Sequence, residues 1–308
     1  MAVFYSTDAL PEFKNPVITI GTFDGVHMGH KTILNKVKEI AEKVDGTSIL
    51  ITFNPHPRKV IFPYMPMQIL TPLDEKIKHI NAEGIEHIII APFTKEFAQL
   101  SAEAYIKDFL VGQIKPHTIV IGYDHQFGHD RKGDITLLKK LSSTYNYQVE
   151  EIEAQLIKDA AVSSTKIRAA LLEGDVEHAA NMLEYDYKMK GTVEKGAQLG
   201  RTIGYPTANV TPETSDQIRP ANGVYAVYIT HNNTTYKAML NIGVKPTVSK
   251  ELSLTIEAHI FDFDRTIYGE EIAITFVKHL RAEQKFSSID ALKAQLDIDK
   301  EHALKALA

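Results

Sequence analysis

The chain contains no cysteine, which excludes disulfides, thiolate nucleophiles and cysteine–zinc sites. No apolar run approaches the ~18 residues that a membrane-crossing helix needs. The opening residues, MAVFYSTDALPEFK, bring in acid early and hold no apolar core, so no signal peptide is expected. Basic blocks are missing as well: 34 Lys and Arg stand against 39 Asp and Glu, a net charge of −5. Neither nucleic acid nor an anionic membrane surface is therefore the expected partner, while a local basic pocket for a small phosphate ligand stays open. There is no internal repeat and no low-complexity linker. What remains is an ordinary composition, 44% hydrophobic and 24% charged over 308 residues. A soluble cytoplasmic protein with room for two cores is the expectation. Oligomeric state is not legible in it.

The first half alternates short apolar runs with amphipathic stretches. Residues 17–21, 48–53, 87–91, 118–122 and 148–152 read as strands, and 31–44, 102–114 and 134–145 as helices. Strands joined by crossover helices imply a parallel sheet covered on both faces, with ligands beyond the carboxyl ends of its strands. After two short helices at 164–172 and 176–184, the pattern changes to strand–turn–strand. GVYAVYIT and TYKAMLNIG flank HNNT, and LTIEAHIFDF and EIAITFV flank DRTIYGE, which reads as two antiparallel hairpins of a small barrel or sandwich. Two helices, 288–296 and 299–307, close the chain. The expected division falls at 184/185.

The stretch GTFDGVHMGH, residues 21–30, follows the first strand, at the strand-to-helix turn. Gly25 and Gly29 allow a tight turn and close approach of a flat ligand. A helix starting near Gly29 would aim free N–H groups and a positive dipole end at an anion, and His27 and His30 add two donors. That combination suits charge building up on a phosphate during transfer; the plainer alternative is a glycine turn with surface histidines. In SSTKIR, Ser163, Ser164 or Thr165 can cap a helix on which Arg168 follows one turn later. Hydroxyl, amide N–H and guanidinium converging on one point make a phosphate clamp, unless Arg168 is simply solvated. NPHPRK offers Asn54, His56 and Arg58, and IGYDHQFG offers Asp124 and His125.

The second half has glycines at 191, 196, 200 and 204 but no Gly-Lys-Ser/Thr ending, so it is not a P-loop. In its PTAN ending, Thr207 and Asn209 point to the same side of an extended segment and offer hard oxygen ligands for Mg²⁺ shared with ATP phosphates. Further on, Thr255, Glu257 and His259 take one face of a strand, with Ile256, Ala258 and Ile260 on the other. Glu257 thus leaves the core side and can face a pocket.

GTFDGVHMGH resembles the His-x-Gly-His signature of nucleotidyltransferases, in the version found in bifunctional riboflavin kinase/FAD synthetases. TFNPHP, IGYDHQFG, SSTKIR, GTVEKGAQLGRTIGYPTANV, NGVYAV, NIGVKPTV, TIEAHIFDF and RAEQKF follow in that family's order and cover nearly the whole chain. The resemblance implies a Rossmann-like α/β nucleotidyltransferase domain over 1–184. It implies an antiparallel β-barrel riboflavin kinase domain with a terminal helix over 185–308. The kinase would make FMN from riboflavin and ATP, with Glu257 accepting the 5′-hydroxyl proton and Thr207 and Asn209 holding Mg²⁺. The first domain would join FMN to AMP from a second ATP, giving FAD and pyrophosphate, with His27, His30, Ser164 and Arg168 stabilising the transition state. Gly21, Phe23, Gly25, Gly29, Asn54, Asp124, Ser163 and Thr165 would line the first site. Gly191, Gly196, Gly200, Gly204, Arg281 and Phe286 would line the second. His125 stands where the family usually has an aromatic. Two rivals remain: a nucleotidyltransferase for another acceptor, which would not need PTAN or TIEAH, and a flavin sensor with decayed sites, which would not need His27, His30, Asn209 and Glu257.

Overall fold

The computed structural model describes residues 1–152, 162–196, 198–246 and 252–308. Ala197, in the glycine-rich block, and Thr247 and Val248, at the end of NIGVKPTV, lie outside them. Two compact units divide the chain, Met1–Ser164 and Thr165–Ala308.

The first unit is built on a six-stranded parallel sheet in the order β1-β4-β3-β2-β5-β6. Its strands are β1 (Ala2–Phe4), β2 (Val17–Ile20), β3 (Ser48–Asn54), β4 (His87–Pro92), β5 (Thr118–Gly122) and β6 (Gln148–Ile152). Alternate side chains feed two cores. Ile18, Ile49, Ile51, Ile89 and Ile119 enter one, and Val17, Leu50, Ile88, Ile90 and Val120 the other. The helix Met28–Lys43 covers the second face with Leu34, Val37 and Ala41, as its 3.6-residue spacing predicts. From β2 the chain steps through β3 to β4 and then crosses to β5 on the far side of β2. The carboxyl ends of β2 and β5 are thus the point where strand order reverses, the place where open α/β sheets bind ligands.

The elements of this unit that the sequence reading leaves out include edge strand β1 and the helix Leu73–Ala82. Edge strand β1 is too short for alternation to register, and the helix Leu73–Ala82 buries Ile80 together with a lysine, Lys76.

The second unit holds a closed barrel, β10-β11-β8-β7-β12-β9. Its strands are β7 (Lys188–Glu194), β8 (Ala208–Pro212), β9 (Gly223–His231), β10 (Thr234–Pro246), β11 (Leu252–Ile260) and β12 (Glu271–Arg281). The first expected hairpin is present. β9 and β10 pair from His231 and Thr234 across Asn232 and Asn233, whose φ values of 47° and 62° fit the left-handed two-residue turn that matches strand twist. The second is not a hairpin. β12 pairs with β7 and β9, and β11 with β10 and β8. The connection 261–270 is longer than a tight hairpin loop, and closing the barrel places β8 and β7 between β11 and β12.

The helices Ser164–Glu173 and Val176–Leu183, read from sequence as the end of the first half, pack almost entirely with the barrel. The latter lies on β12, buries Val176, Ala179, Met182 and Leu183, and pairs Glu177 with Lys278 at 3.1 Å. The two expected C-terminal helices are one, Ile289–Ala306, capped by the Ser288 hydroxyl. No glycine or proline interrupts it, and the residues at the expected break, Asp297 and Asp299, are both bonded to barrel side chains (Tyr205 and Arg281).

Candidate active sites

At the carboxyl end of β2 the backbone folds back on itself before the helix Met28–Lys43 begins. Phe23 and Val26 sit at φ 46° and 38°, and Gly25 at 90°. For a β-branched residue such as Val26 this is an unusual conformation, costing roughly 1–3 kcal/mol. The Asp24 carboxylate, 2% exposed, offsets that cost by accepting the backbone N–H groups of Leu70 (2.9 Å) and Thr71 (3.1 Å). The Ser164 hydroxyl donates to the Asp24 carbonyl at 2.9 Å, which brings one residue of SSTKIR onto the turn. Thr165 and Arg168 continue the same helix in the second unit.

His27 is the N-cap of the helix Met28–Lys43 and makes no side-chain cap bond. The amides of the first helical turn therefore point outward unsatisfied by the cap, the arrangement that binds anions. Its buried ring stacks on His30 with centroids 3.8 Å apart and 17° between planes, and Phe23 lies 4.8 Å from His30 on the other side. Gly29 lies close under this pair: an added Cβ would come within 3.3 Å of the His27 ring, which would have to shift by a few tenths of an ångström. Burial, and then the charges of His27 and Lys76, hold His30 well below the usual imidazole range. At neutral pH it is an uncharged ring, and its Nδ1 has no hydrogen-bond partner among the described residues.

The other expected residues of this unit lie at neighbouring strand ends. Asn54 ends β3, exposed; the His56 ring accepts the Arg58 N–H at 3.2 Å and so caps the short helix Pro57–Ile61. Asp124 is exposed just past β5. His125, half-buried, packs 5.9 Å from Phe127, the tilted ring contact that an aromatic would make there. Burial pushes it down to about 4.

These histidines set a pH dependence. An unfolded histidine titrates near ~6.5, and both His30 and His125 bind protons less readily once folded. Below that pH the unfolded chain binds more protons, so stability falls as pH drops, down to about 4 for His125. A buried group of this kind costs up to about 1.4 kcal/mol per pH unit. Urea midpoints should therefore decline from pH 7 to 5, and His125→Phe should flatten the slope. Equal slopes for both proteins would remove His125 from the effect.

In the barrel, strand register brings together residues far apart in sequence. Asn209 on β8 lies opposite Glu257 on β11, which lies opposite Asn241 on β10; Glu194 on β7 faces Asn209 from the other side. Directly opposed side chains share a face with Cβ atoms roughly 5 Å apart. Glu257 is half-buried, while Ile256, Ala258 and Ile260 point into the core, as alternation predicts. Gly196 and Gly200 approach this region closely. A Cβ on Gly196 would lie 2.1 Å from the Asn209 amide, and one on Gly200 2.1 Å from the Tyr205 carbonyl and 3.7 Å from the Thr207 hydroxyl. His259 donates through Nδ1 to the Pro206 carbonyl at 2.7 Å, fixing the backbone just before Thr207. A cavity beside Thr207 is walled by Val193, Phe263 and Tyr268 and carries two arginines, Arg201 and Arg265, which sequence reading did not single out. Arg201 lies in the short helix Leu199–Thr202 and Arg265 in the connection after β11, and nothing in the spacing distinguishes either from a solvated charge. Gly191 packs against β8, and Gly204 supplies the φ of 87° that turns the chain into PTAN.

Arg281 is committed within the protein. Its Nε and Nη2 donate to the two Asp299 oxygens at 2.8 and 2.6 Å, its Nη1 to the Ala282 carbonyl at 3.0 Å, and its guanidinium sits 5.8 Å from the Phe286 ring centroid. Asp299, 1% exposed, also accepts from Gln295.

An α/β sheet with paired histidines at its switch point, followed by a barrel with a row of oxygen side chains, is an arrangement suited to a two-unit phosphate-transfer enzyme. A family model described as FAD synthetase matches residues 10–166, and one described as riboflavin kinase matches residues 183–307. The bifunctional riboflavin kinase/FMN adenylyltransferase of Listeria monocytogenes is 37% identical over 93% of this chain and 91% of its own length. That of Bacillus subtilis is also 37% identical, over 96% and 93%, and that of Escherichia coli K12 34%, over 92% and 90%. A crystal structure titled as a macrolide-efflux protein from Streptococcus pneumoniae has a TM-score of 0.86 at 30% identity, covering 97% of each chain. Efflux is said of that protein alone; among the described residues here, no helix is long and apolar enough to cross a membrane. The chain belongs to the bifunctional riboflavin kinase/FMN adenylyltransferase family.

Proposed function

We propose that residues 1–184 carry FMN adenylylation and residues 185–308 riboflavin phosphorylation; family matches over 10–166 and 183–307 support two such parts, whereas the packing divides at Ser164/Thr165. As a member of its family the chain is a bifunctional transferase that uses flavins and ATP as substrates. It makes FMN from riboflavin and ATP, then FAD and pyrophosphate from FMN and a second ATP. One observation carries the assignment of residues: each unit holds its own phosphate-handling set, the stacked pair His27 and His30 in the first and the register pair Asn209 and Glu257 in the second.

In the barrel, Glu257 accepts the proton of the riboflavin 5′-hydroxyl while that oxygen bonds to the γ-phosphorus and the bond to the ADP oxygen breaks. Arg201 and Arg265, flanking the cavity beside Thr207, suit the triphosphate. The donor set fits Mg²⁺: a hydroxyl and an amide oxygen next to a carboxylate are hard ligands, too few for a protein cage and suited to an ion shared with phosphate. Thr207 and Asn209 would hold it, and its charge would draw electron density from the transferred phosphoryl group. Arg281, bound to Asp299, supports Phe286 as the flavin-side surface.

In the first unit, an FMN phosphate oxygen bonds to the α-phosphorus of ATP as the bond to pyrophosphate breaks. His27 and His30 donate N–H to the charge that develops, together with the first-turn amides of the helix Met28–Lys43. Ser163 and Ser164 serve as phosphate contacts beside the turn, where the Ser164 hydroxyl already reaches the Asp24 carbonyl. Gly21, Phe23, Asn54 and Asp124 border the nucleotide and flavin. A cytoplasmic setting, where ATP is plentiful, is part of the same proposal.

Incubation with riboflavin and ATP, followed by chromatographic separation of flavins, tests the whole. FMN should form first and FAD after it, and chelating Mg²⁺ should stop both. A yellow protein that leaves ATP unconsumed would make it a flavin binder, and adenylylation of some other acceptor would remove the flavin assignment.

A further inference from the structure

We infer that Lys76 is a positioning residue for adenylyl transfer, its ammonium fixing from beneath the turn that delivers His27 and His30. This rests on the reading that the first unit transfers adenylyl groups.

Lys76 projects from the helix Leu73–Ala82 and is 5% exposed. Its Nζ donates to the Thr22 carbonyl at 2.9 Å and lies 3.5 Å from the Thr52 hydroxyl. Thr52, fully buried on β3, donates to the same Thr22 carbonyl at 3.1 Å. A carbonyl has two lone pairs, and both are taken, which fixes the peptide plane between Thr22 and Phe23. That plane opens the segment in which Phe23 and Val26 adopt positive φ. Two residues on, the Asp24 carboxylate is held by Leu70 and Thr71 and its carbonyl by Ser164. The turn is thus pinned at successive points, and Lys76 is the only one of these pins that is cationic.

A buried ammonium is costly, and a helix needing only to cover the sheet would place a leucine or methionine there. Desolvation lowers the affinity of Lys76 for its proton, and the nearby Asp24 charge works the other way. The same cation acts on His30, where it helps to keep the ring neutral. Lys76 therefore meets the site twice, through the Thr22 peptide and through the field at His30.

The test is Lys76→Met, which keeps the volume and removes the charge, with riboflavin phosphorylation in the same chain as internal control. The kcat for converting supplied FMN to FAD should fall roughly 10²-fold, the effect of a small misplacement of reacting groups. KM for ATP and FMN, and the kinase rate, should hold. In NMR titration of the imidazole signals, His30 should protonate more readily in the variant, a readout that needs no activity. Unchanged kcat, a loss confined to KM, or an unmoved His30 titration would each overturn the inference. If Lys76→Met unfolds the first unit, Thr52→Val, which removes the other donor to Thr22, should lower kcat in the same direction; no change there overturns it too. Wild-type protein that makes no FAD would instead sink the underlying reading, leaving the His30 titration to decide on Lys76.

Discussion

With His27 and His30 both replaced by alanine, FMN will accumulate and FAD will not form. Removing one preorganised donor to a developing oxyanion costs ~10²–10³ in rate. Here both donors stand at one helix N-terminus with their rings 3.8 Å apart. His30 is uncharged in the free protein, so its contribution is a directed N–H rather than a fixed positive charge. The loss should therefore appear in kcat for FMN adenylylation more than in ATP affinity. The change removes the stacked pair and with it the His30 contact to Phe23, so the far-UV circular dichroism and the kinase rate must be measured on the same sample. Normal FAD formation by a folded variant would end the role given to these residues.

Glu257→Gln should produce the opposite pattern. Riboflavin will remain unphosphorylated, while FMN supplied from outside is still converted to FAD. The amide keeps the size and most hydrogen bonds of the carboxylate but cannot take a proton, and loss of a general base typically costs ~10²–10⁴ in rate. Glu257 sits mid-strand with β8 and β10 on either side, so the substitution should leave the barrel intact. A variant that phosphorylates riboflavin at the normal rate would make Glu257 a surface residue of the strand.

Much of this was readable before any coordinates. The His-x-Gly-His turn announces itself because everything it needs is local: three glycines and two histidines within ten residues after an apolar run. Thr207 and Asn209 are equally local, and alternation along β11 takes Glu257 off the core side, although its role comes from the resemblance alone. What escaped depends on distance along the chain. The pairing of β12 with β7 comes from closing a barrel, and no turn signal records it. Arg281 resembles a free cation in RAEQKF until a carboxylate on the terminal helix is seen to hold it. Lys76 has the commonest disguise, a lysine on an amphipathic helix, where solvation is the ordinary outcome. Its partners Thr22 and Thr52 come from a turn and a strand 54 and 24 residues earlier.

The terminal helix ties two parts of the barrel together. Asp297 accepts from the Tyr205 hydroxyl, one residue before PTAN, and Asp299 grips Arg281 under Phe286. The residues proposed to handle the triphosphate and those proposed to face the flavin thus hang from neighbouring positions on one rigid rod. Ordering one of these segments restrains the rod and lowers the entropy still to be lost by the other. If the two kinase substrates bind at these segments as proposed, each should raise the affinity for the other, which titrating riboflavin with and without nucleotide would detect.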